Sequence, residues 1–298
     1  GGGIYNVSSN PKLEDVTFSN NTSLKAGGGM YNTGTYIDRS TPSLLRVVFF
    51  GNVASDEGYG DGGGMFNYDW CSPTMTDVVF QENRAGHDGG GMYNNQATFA
   101  ILRRVLFTGN FSDNHGGGLF NTAAYPDMEN VTFYGNTANG NGGGMCSWAV
   151  ISPLNMLNVT FVNNTTVYGD GGGIFSSEGN GFALRNAILW GNNPTQIVGG
   201  GTATYSTIQG GFGGEGNSSV DPMLEALADN GGFSKTVGLQ NGSPAVDAGN
   251  PELCPAVDQR GFMRPFDGDG LDGARCDMGA FEFGSYPEAK IYLPLLSK

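Results

Sequence analysis

The chain has 298 residues, of which 52 are glycine, and its 28 acidic and 14 basic residues give a formal net charge of −14. Apolar residues make up 38% of it, which excludes a disordered low-complexity chain. The excess of acids argues against nucleic acid or an anionic membrane as partner, and it favours solubility and cation binding.

Two short phrases repeat along the first two thirds of the chain. V-x-F-x-x-N is first read from Val16 to Asn21, and a degenerate copy runs from Ala187 to Asn192. A period of 26 to 28 residues separates the phenylalanines Phe80, Phe107, Phe133 and Phe161. That spacing is too long for a hairpin and contains no helical stretch, so each repeat is read as one solenoid coil. The other phrase is a glycine triplet followed by Ile, Met or Leu, beginning at Gly1, Gly27, Gly62, Gly89, Gly116, Gly142 and Gly171.

One coil cannot bury its apolar face alone, whereas stacked coils bury a continuous core. In V-x-F the two apolar residues are two apart, so both point to one face of a strand. We therefore predict an all-β fold over residues 1–209, a right-handed, single-stranded parallel β-helix. Recurrent asparagines predict stacked amide ladders at the turns: Asn6, Asn32, Asn67, Asn94 and Asn121 in one column, and Asn21, Asn52, Asn83, Asn110, Asn136, Asn164 and Asn192 in another.

The sequence motifs of these repeats are similar to those of a known family. GGGMY, FFGN, FQEN, FTGN and FYGN resemble the repeats of the chlamydial-type polymorphic outer membrane proteins, and the resemblance covers residues 1–192. It implies a right-handed β-helix displayed at a bacterial surface. It does not imply a particular activity, since one fold serves many functions.

From Gly210 the repeats give way to a different set of motifs. GSPAVDAG, DQRG, DGDG and CDMGAFE follow one another and resemble the choice-of-anchor Q domain of secreted bacterial proteins, over residues 203–283. We expect a loop-rich capping module at 210–284 and a tail at 285–298, which lacks a sortase-type LPxTG motif. The resemblance implies export, hence a secreted, extracellular or cell-surface location.

The four cysteines differ in their surroundings. Cys254 and Cys276 flank one loop-rich segment and are predicted to form a disulfide, the alternative being two buried thiols. Cys71 and Cys146 lie three repeats apart and are poor partners, because sulfur contact requires neighbouring coils.

Ten N-x-S/T sequons occur, among them Asn130 and Asn158. Most arise from the N-V-T-F wording of the repeat itself. We interpret them as part of the repeat pattern rather than as glycosylation sites.

An acidic, glycine-rich stretch in the terminal module is a candidate calcium loop. Asp267, Asp269 and Asp272 provide the carboxylates that calcium prefers in such loops. Asp272 comes one residue late for its position, and no acid follows at the twelfth. The alternative is an acidic turn held by Arg264 or Arg275. Calcium is the only cofactor that the sequence suggests.

The sequence shows no convincing arrangement of catalytic residues. A hydrolase would need two or three carboxylates on one face of adjacent coils. Asp61, Asp88 and Asp170 share the position before a glycine triplet, but neighbouring repeats interrupt the column. His87 and His115 are nearly aligned and form either a surface metal or base site or two exposed turn histidines. We predict no catalytic residue.

The residue that follows the Ile, Met or Leu of each glycine-triplet phrase is usually aromatic, and these residues form a column. If Met and Ile point inward, this column faces outward as a contact stripe for protein or sugar, unless long loops cover it. Its members are Tyr5, Tyr31, Phe66, Tyr93, Phe120 and Phe175.

These observations favour a non-enzymatic, extracellular bacterial structural protein, such as a β-helix stalk, an adhesin or a filament subunit. The alternative is a carbohydrate-active enzyme of the polysaccharide lyase or hydrolase type. We expect self-association into a head-to-tail polymer, glycans as a further candidate partner, and neither nucleic acid binding nor membrane insertion. The predicted assembly residues are Gly1, Ile4 and Tyr5 at one end and Ile291, Tyr292, Leu293, Leu295 and Leu296 in an apolar segment at the other.

Overall fold

The computed structural model describes residues 1–55, 59–149, 152–177, 181–271 and 273–287. In these ranges every regular element is a β-strand, and no helix long and apolar enough to cross a membrane occurs. The strands stack in parallel, coil upon coil, into a solenoid of about seven turns. The predicted all-β parallel solenoid is confirmed, while its handedness stays a prediction.

Three parallel sheets run along the solenoid. Over most of the length of the solenoid, each coil contributes strands to all three sheets. The first sheet follows the glycine triplets and keeps its register from coil to coil, with Met30 opposite Met65, and Met65 opposite Met92. Its strands are Ile4–Val7, Met30–Thr33, Met65–Tyr68, Met92–Asn95, Leu119–Thr122, Met145–Trp148, Ile174–Ser176 and Ile197–Val198.

The second sheet contains the V-x-F phrase. Its strands are Lys12–Glu14, Thr17–Ser19, Ser43–Phe50, Thr74–Gln81, Ile101–Thr108, Asp127–Glu129, Thr132–Tyr134, Leu154–Leu157, Thr160–Val162, Phe182–Arg185, Ile188–Trp190, Gly201–Thr204 and Thr207–Ile208. The third sheet is short: Thr22–Ser23, Val53–Ala54, Arg84–Ala85, Phe111–Ser112, Thr137–Ala138 and Thr165–Thr166. Beyond the solenoid, Leu224–Ala228 and Thr236–Leu239 form an antiparallel pair.

The core is a stack of identical side chains. The inward aliphatic side chains of the first sheet, mostly methionines, lie in one buried cluster with the phenylalanines of the second. Phe107 lies between Phe80 and Phe133, with ring centroids 4.8 and 4.7 Å apart and ring planes parallel to within 4°. Ring stacking at this distance matches the spacing of parallel strands, so one residue type can occupy the same place in every coil.

The glycine triplets are required because the backbones of neighbouring coils approach closely there. At Gly89 the φ angle is +69°, a left-handed conformation that favours glycine. At Gly91 a Cβ would lie 2.6 Å from the Gly118 carbonyl oxygen and 2.9 Å from the Phe107 ring. A side chain at either position would separate the coils or displace the phenylalanine stack.

The predicted asparagine ladders are confirmed, although the first column lies within strands rather than at turns. In the second column, the amides from Asn52 to Asn164 each join three coils. Asn83 Nδ2 donates both to the Phe49 carbonyl of the preceding coil (2.9 Å) and to Asn110 Oδ1 of the next (2.9 Å). The Asn83 backbone N–H donates to the same Asn110 oxygen (3.0 Å). These bonds satisfy buried turn groups that would otherwise be costly to desolvate.

Substituting Asn110 with alanine tests the ladder. The change leaves the Asn83 N–H and the Phe80 carbonyl without their side-chain partner, both in buried surroundings. We expect the free energy of unfolding to fall by at least ~2 kcal/mol, measured by urea titration. Asn139→Ala is the matched control, since within the described ranges that amide makes a single long contact, with Asp113 (3.5 Å). Equal stabilities of the two variants would contradict the ladder's role.

A third column of residues has a different composition in the first and second halves of the solenoid. Its residues precede the V-x-F phrase and have left-handed backbones, with φ between 50° and 55°. In the first half the column forms ion pairs between neighbouring coils: Asp15 with Arg46 (2.6 Å) and Asp77 with Arg104 (2.7 Å). In the second half it consists of Asn130, Asn158 and Asn186.

The three asparagines of this column bind the C-terminal module. Their amides donate to its backbone carbonyls: Asn130 to Val257 (2.8 Å), Asn158 to Asp277 and Gly279 (3.0 Å each), and Asn186 to Leu253 (2.7 Å). Asn130 and Asn158 are 1% and 0% exposed, so their sequons are closed to glycosylation in the folded chain.

Asn158→Ala is expected to loosen the module without unfolding the coils. Two backbone carbonyls of the module lose their donor, so amide exchange and proteolysis within residues 250–283 should increase. Asn163→Ala is the control, because Asn163 has the same left-handed backbone (φ 55°) but an exposed side chain. Unchanged protection of the module in Asn158→Ala would argue against this mode of docking.

Candidate functional site

The residues before the glycine triplets form a continuous ladder of hydrogen-bond acceptors. Each side chain accepts from the backbone N–H one coil further on: Asp61 from Asp88 (3.2 Å), Asp88 from His115 (2.9 Å), His115 Nδ1 from Asn141 (2.9 Å) and Asn141 from Asp170 (2.9 Å). Compared by charge alone, this column is interrupted at His115 and Asn141, as the sequence predicts. The structure requires only an acceptor, which Asp, Asn and neutral His all provide.

His87 turns one part of this ladder into a cluster of titratable groups. Its Nδ1 lies 2.9 Å from Asp61 Oδ1 and 3.3 Å from Asp88 Oδ2. The hydrogen bond to Asp61 raises the pKa of His87. Burial raises the pKa of Asp88 to about 6, and this side chain is only 4% exposed. The cluster joins neighbouring coils, at the positions before Gly62 and Gly89.

His115 has a different environment from His87. It packs on Trp148, with ring centroids 4.6 Å apart, and burial lowers its pKa. Since its Nδ1 accepts a hydrogen bond, the neutral ring holds its proton on Nε2. The two histidines therefore do not act as an equivalent pair, and the expectation of two exposed turn histidines is wrong: both are partly buried.

The aromatic column does point away from the main core, but the expectation of an exposed stripe is wrong. Phe66, Tyr93 and Phe120 are 6%, 7% and 1% exposed. Tyr68 and Trp148, also on the outer face of the first sheet, pack against them and close a second small core. Only Tyr5, in the first coil, is largely exposed, at 64%.

The terminal module contains the predicted cysteine pair and part of the predicted calcium loop. Cys254 and Cys276 are joined in a disulfide with Cα atoms 5.7 Å apart, while Cys71 and Cys146 are buried and free. Asp272 lies outside the described residues.

Asp247, which was not among the candidate ligands predicted from the sequence, joins Asp267 and Asp269. Carboxylate oxygens of the three lie within 4.8 Å of one another. Asp247 Oδ2 accepts from the backbone N–H groups of Gly268 and Asp269, at 2.9 and 3.0 Å. The only sequence signal for this residue was its place in GSPAVDAG, 20 residues before the loop.

Several charged residues of the module motifs are structural. Arg264 does not hold the acidic loop: it is buried and lies 3.2 Å from Glu282, and it donates to the Gly279 carbonyl. Asp258 of the DQRG motif is likewise buried and pairs with Arg260 (2.7 Å). These arginines and acids form a buried ionic core in the terminal module.

The predicted assembly residues can be placed at one end only. Strand Ile4–Val7 is paired on one edge, to Met30–Thr33, and Tyr5 stacks on Tyr31 with centroids 5.0 Å apart. Gly1 is exposed and Ile4 is partly buried. Ile291, Tyr292, Leu293, Leu295 and Leu296 lie outside the described residues.

Comparison with known proteins identifies the repeats. The model of the Chlamydia polymorphic membrane protein repeat matches residues 15–33, 104–122 and 158–177. The chain carries repeats of this type. Each match runs from the third column through V-x-F-x-x-N and a glycine triplet into the first sheet. These repeats are those of bacterial surface or outer-membrane proteins. Neither the curated proteins nor the solved structures give a match.

The calcium prediction is tested by melting the protein with and without the ion. If calcium binds the folded loop, it should raise the melting temperature by mass action, and a chelator should reverse the rise. Asp269→Asn should reduce the effect, since asparagine keeps an acceptor for the Leu271 N–H but loses the charge. Glu252→Gln, an exposed acid elsewhere in the module, is the control. A melting temperature insensitive to calcium and chelator would refute the site.

Proposed function

We propose that the chain is a non-catalytic rod of the bacterial surface, serving as a stalk or adhesin and assembling head to tail into filaments. The observation that supports this most is the constant register: equivalent residues pair coil after coil from Ile4 to Val198. Seven coils at ~4.8 Å each give a rod of roughly 34 Å. Such a stack positions a contact surface at a fixed distance without moving parts.

The flank of the rod supports the adhesin part of the proposal. The loop after Met30–Thr33 lies in the longest repeat, in which 35 residues separate Gly27 from Gly62. It exposes Tyr36 (70%) and Ile37 (86%), and insertions of this kind are often functional in solenoids. The Tyr36 ring lies edge-on to Trp70, with centroids 5.0 Å apart, and the Arg39 guanidinium lies over the same indole at 5.2 Å. An exposed aromatic group with one cation suits contact with a glycan or a protein.

The first coil supports the assembly part. Among the described residues, strand Ile4–Val7 pairs on one edge, with Met30–Thr33, and a strand added to the other edge would bury Tyr5. Edge addition gives affinity through main-chain hydrogen bonds. Contact between unlike ends does not close on itself and so generates filaments.

One observation favours the enzymatic alternative. Asp61 and Asp88 are carboxylates in one column of neighbouring coils, with a histidine between them, which is the kind of pair that glycoside hydrolysis uses. The near-complete burial of Asp88 counts against it, because a catalytic carboxyl must reach its substrate. We therefore keep the non-catalytic function.

Binding and cleavage can be measured on one preparation. We expect the chain to bind bacterial or host surface glycans or surface proteins in an array, and Tyr36→Ala with Trp70→Ala to weaken binding at least tenfold. Tyr59→Ala, an equally exposed tyrosine on another loop, should bind normally. No new reducing or unsaturated ends should appear in the glycans. Cleavage that disappears in Asp88→Asn would establish the enzyme and overturn the proposal.

Assembly needs a separate measurement. Electron microscopy at high protein concentration should show filaments, and Tyr5→Asp should prevent them without changing the melting temperature. Removal of residues 288–298 tests the predicted partner segment. If the protein stays monomeric at every concentration, the filament part of the proposal is wrong, and the stalk or adhesin part stands alone.

A further inference from the structure

The acids on the solenoid fall into two classes according to the cation beside them. Most acids that form an ion pair on the described part of the solenoid contact an arginine. These pairs are Glu14 and Asp15 with Arg46, Asp77 with Arg104, Asp113 with Arg84, and Asp127 and Glu129 with Arg103. Asp61 and Asp88 are the exception. Within the described part of the chain, their only ion-pair partner is His87. Two carboxylates therefore face one imidazole, whereas the other paired acids lie beside an arginine, whose positive charge is permanent.

The three side chains are arranged as metal ligands are. His87 Nδ1 and one carboxylate oxygen from each aspartate lie within 4.8 Å of one another. Asp61 and His87 are 22% and 33% exposed at their side chains, so an ion has a path to them, while Asp88 forms the floor of the cluster at 4%. Two acids and a neutral imidazole carry a charge of −2, which a divalent cation would neutralise.

We propose that Asp61, His87 and Asp88 bind a divalent transition-metal ion of the zinc class. One imidazole nitrogen and two carboxylate oxygens make a borderline ligand set that suits zinc, cobalt or nickel, whereas calcium and magnesium prefer oxygen alone. Three protein ligands leave a fourth position for water on the exposed side of the cluster. When the ion binds, His87 Nδ1 becomes the ligand atom: the neutral ring carries its single proton on Nε2, and a protonated ring releases its second proton to solvent.

The ladder holds these ligands in place before any ion arrives. Asp88 Oδ1 accepts the His115 N–H at 2.9 Å, which leaves Oδ2 directed at His87. On the far side of the imidazole, the Asn114 side-chain amide lies 3.3 Å from Nε2, and with its oxygen turned to the ring it would accept the Nε2 proton of the metal-bound form. Outer partners of this kind orient metal-binding histidines. The site would fasten the third coil to the fourth.

The ladder also supplies isosteric test variants. Asp61→Asn and Asp88→Asn keep the oxygen that accepts the next coil's N–H, so they should fold normally while losing a charged ligand. His87→Ala removes the nitrogen ligand. Asp170→Asn is the matched control, because Asp170 occupies the same column in a coil without a neighbouring histidine. Asp269→Asn controls for the acidic loop of the terminal module.

The experiment is calorimetric titration of chelator-treated, tag-free protein with zinc chloride, accompanied by the visible absorption spectrum of the cobalt form. We expect one ion per chain, cobalt bands typical of mixed nitrogen and oxygen ligands, and at least tenfold weaker binding in Asp61→Asn, Asp88→Asn and His87→Ala. Asp170→Asn and Asp269→Asn should bind as the native chain does. Absence of zinc binding, or binding unaffected by the Asp61, His87 and Asp88 variants, would overturn the assignment.

Discussion

The structure depends on the hydrogen bonds that buried asparagine amides make between coils. A parallel solenoid turns sharply three times per coil, and each turn leaves backbone groups that strand pairing cannot satisfy. Asn83 solves this by donating to the coils before and after it, while its Oδ1 accepts from Asn52 of the coil before. Because its length and polarity fit only when the coils are in register, the same amide sets the stacking of methionines and phenylalanines. The glycine triplets, with their close backbone approach, serve the same geometry.

Once the register is fixed, columns of residues acquire separate tasks at no cost to the fold. The column before V-x-F contains ion pairs in the first half of the solenoid and asparagines in the second, and the latter receive the terminal module. The column before the glycine triplets needs only an acceptor, so Asp, His and Asn are interchangeable there. That tolerance is what allows Asp61 and Asp88 to lie beside His87 without disturbing the coil.

Much of the fold follows from the sequence because its signal is repeated. The period of V-x-F, the glycine triplets and the two asparagine columns predict the strands, the inward faces and the ladders, since every coil imposes the same requirement. Contacts between distant segments have no such repetition. Nothing in the sequence around Asp247 indicates that it reaches Asp267, and nothing near Arg264 indicates a buried partner at Glu282. The burial of Phe66 and Phe120 likewise depends on Tyr68 and Trp148, which do not recur in every repeat.

Amide hydrogen exchange resolved to single residues tests the central claim most directly. The backbone N–H groups of Asn52, Asn83, Asn110 and Asn136 lie in turns, outside any strand, yet each donates to the asparagine oxygen of the next coil. If the ladder holds the coils in register, these amides should exchange as slowly as those of the neighbouring phenylalanine strands and be released with them on unfolding. Exchange at the rate of exposed turns, while the strands stay protected, would contradict the account.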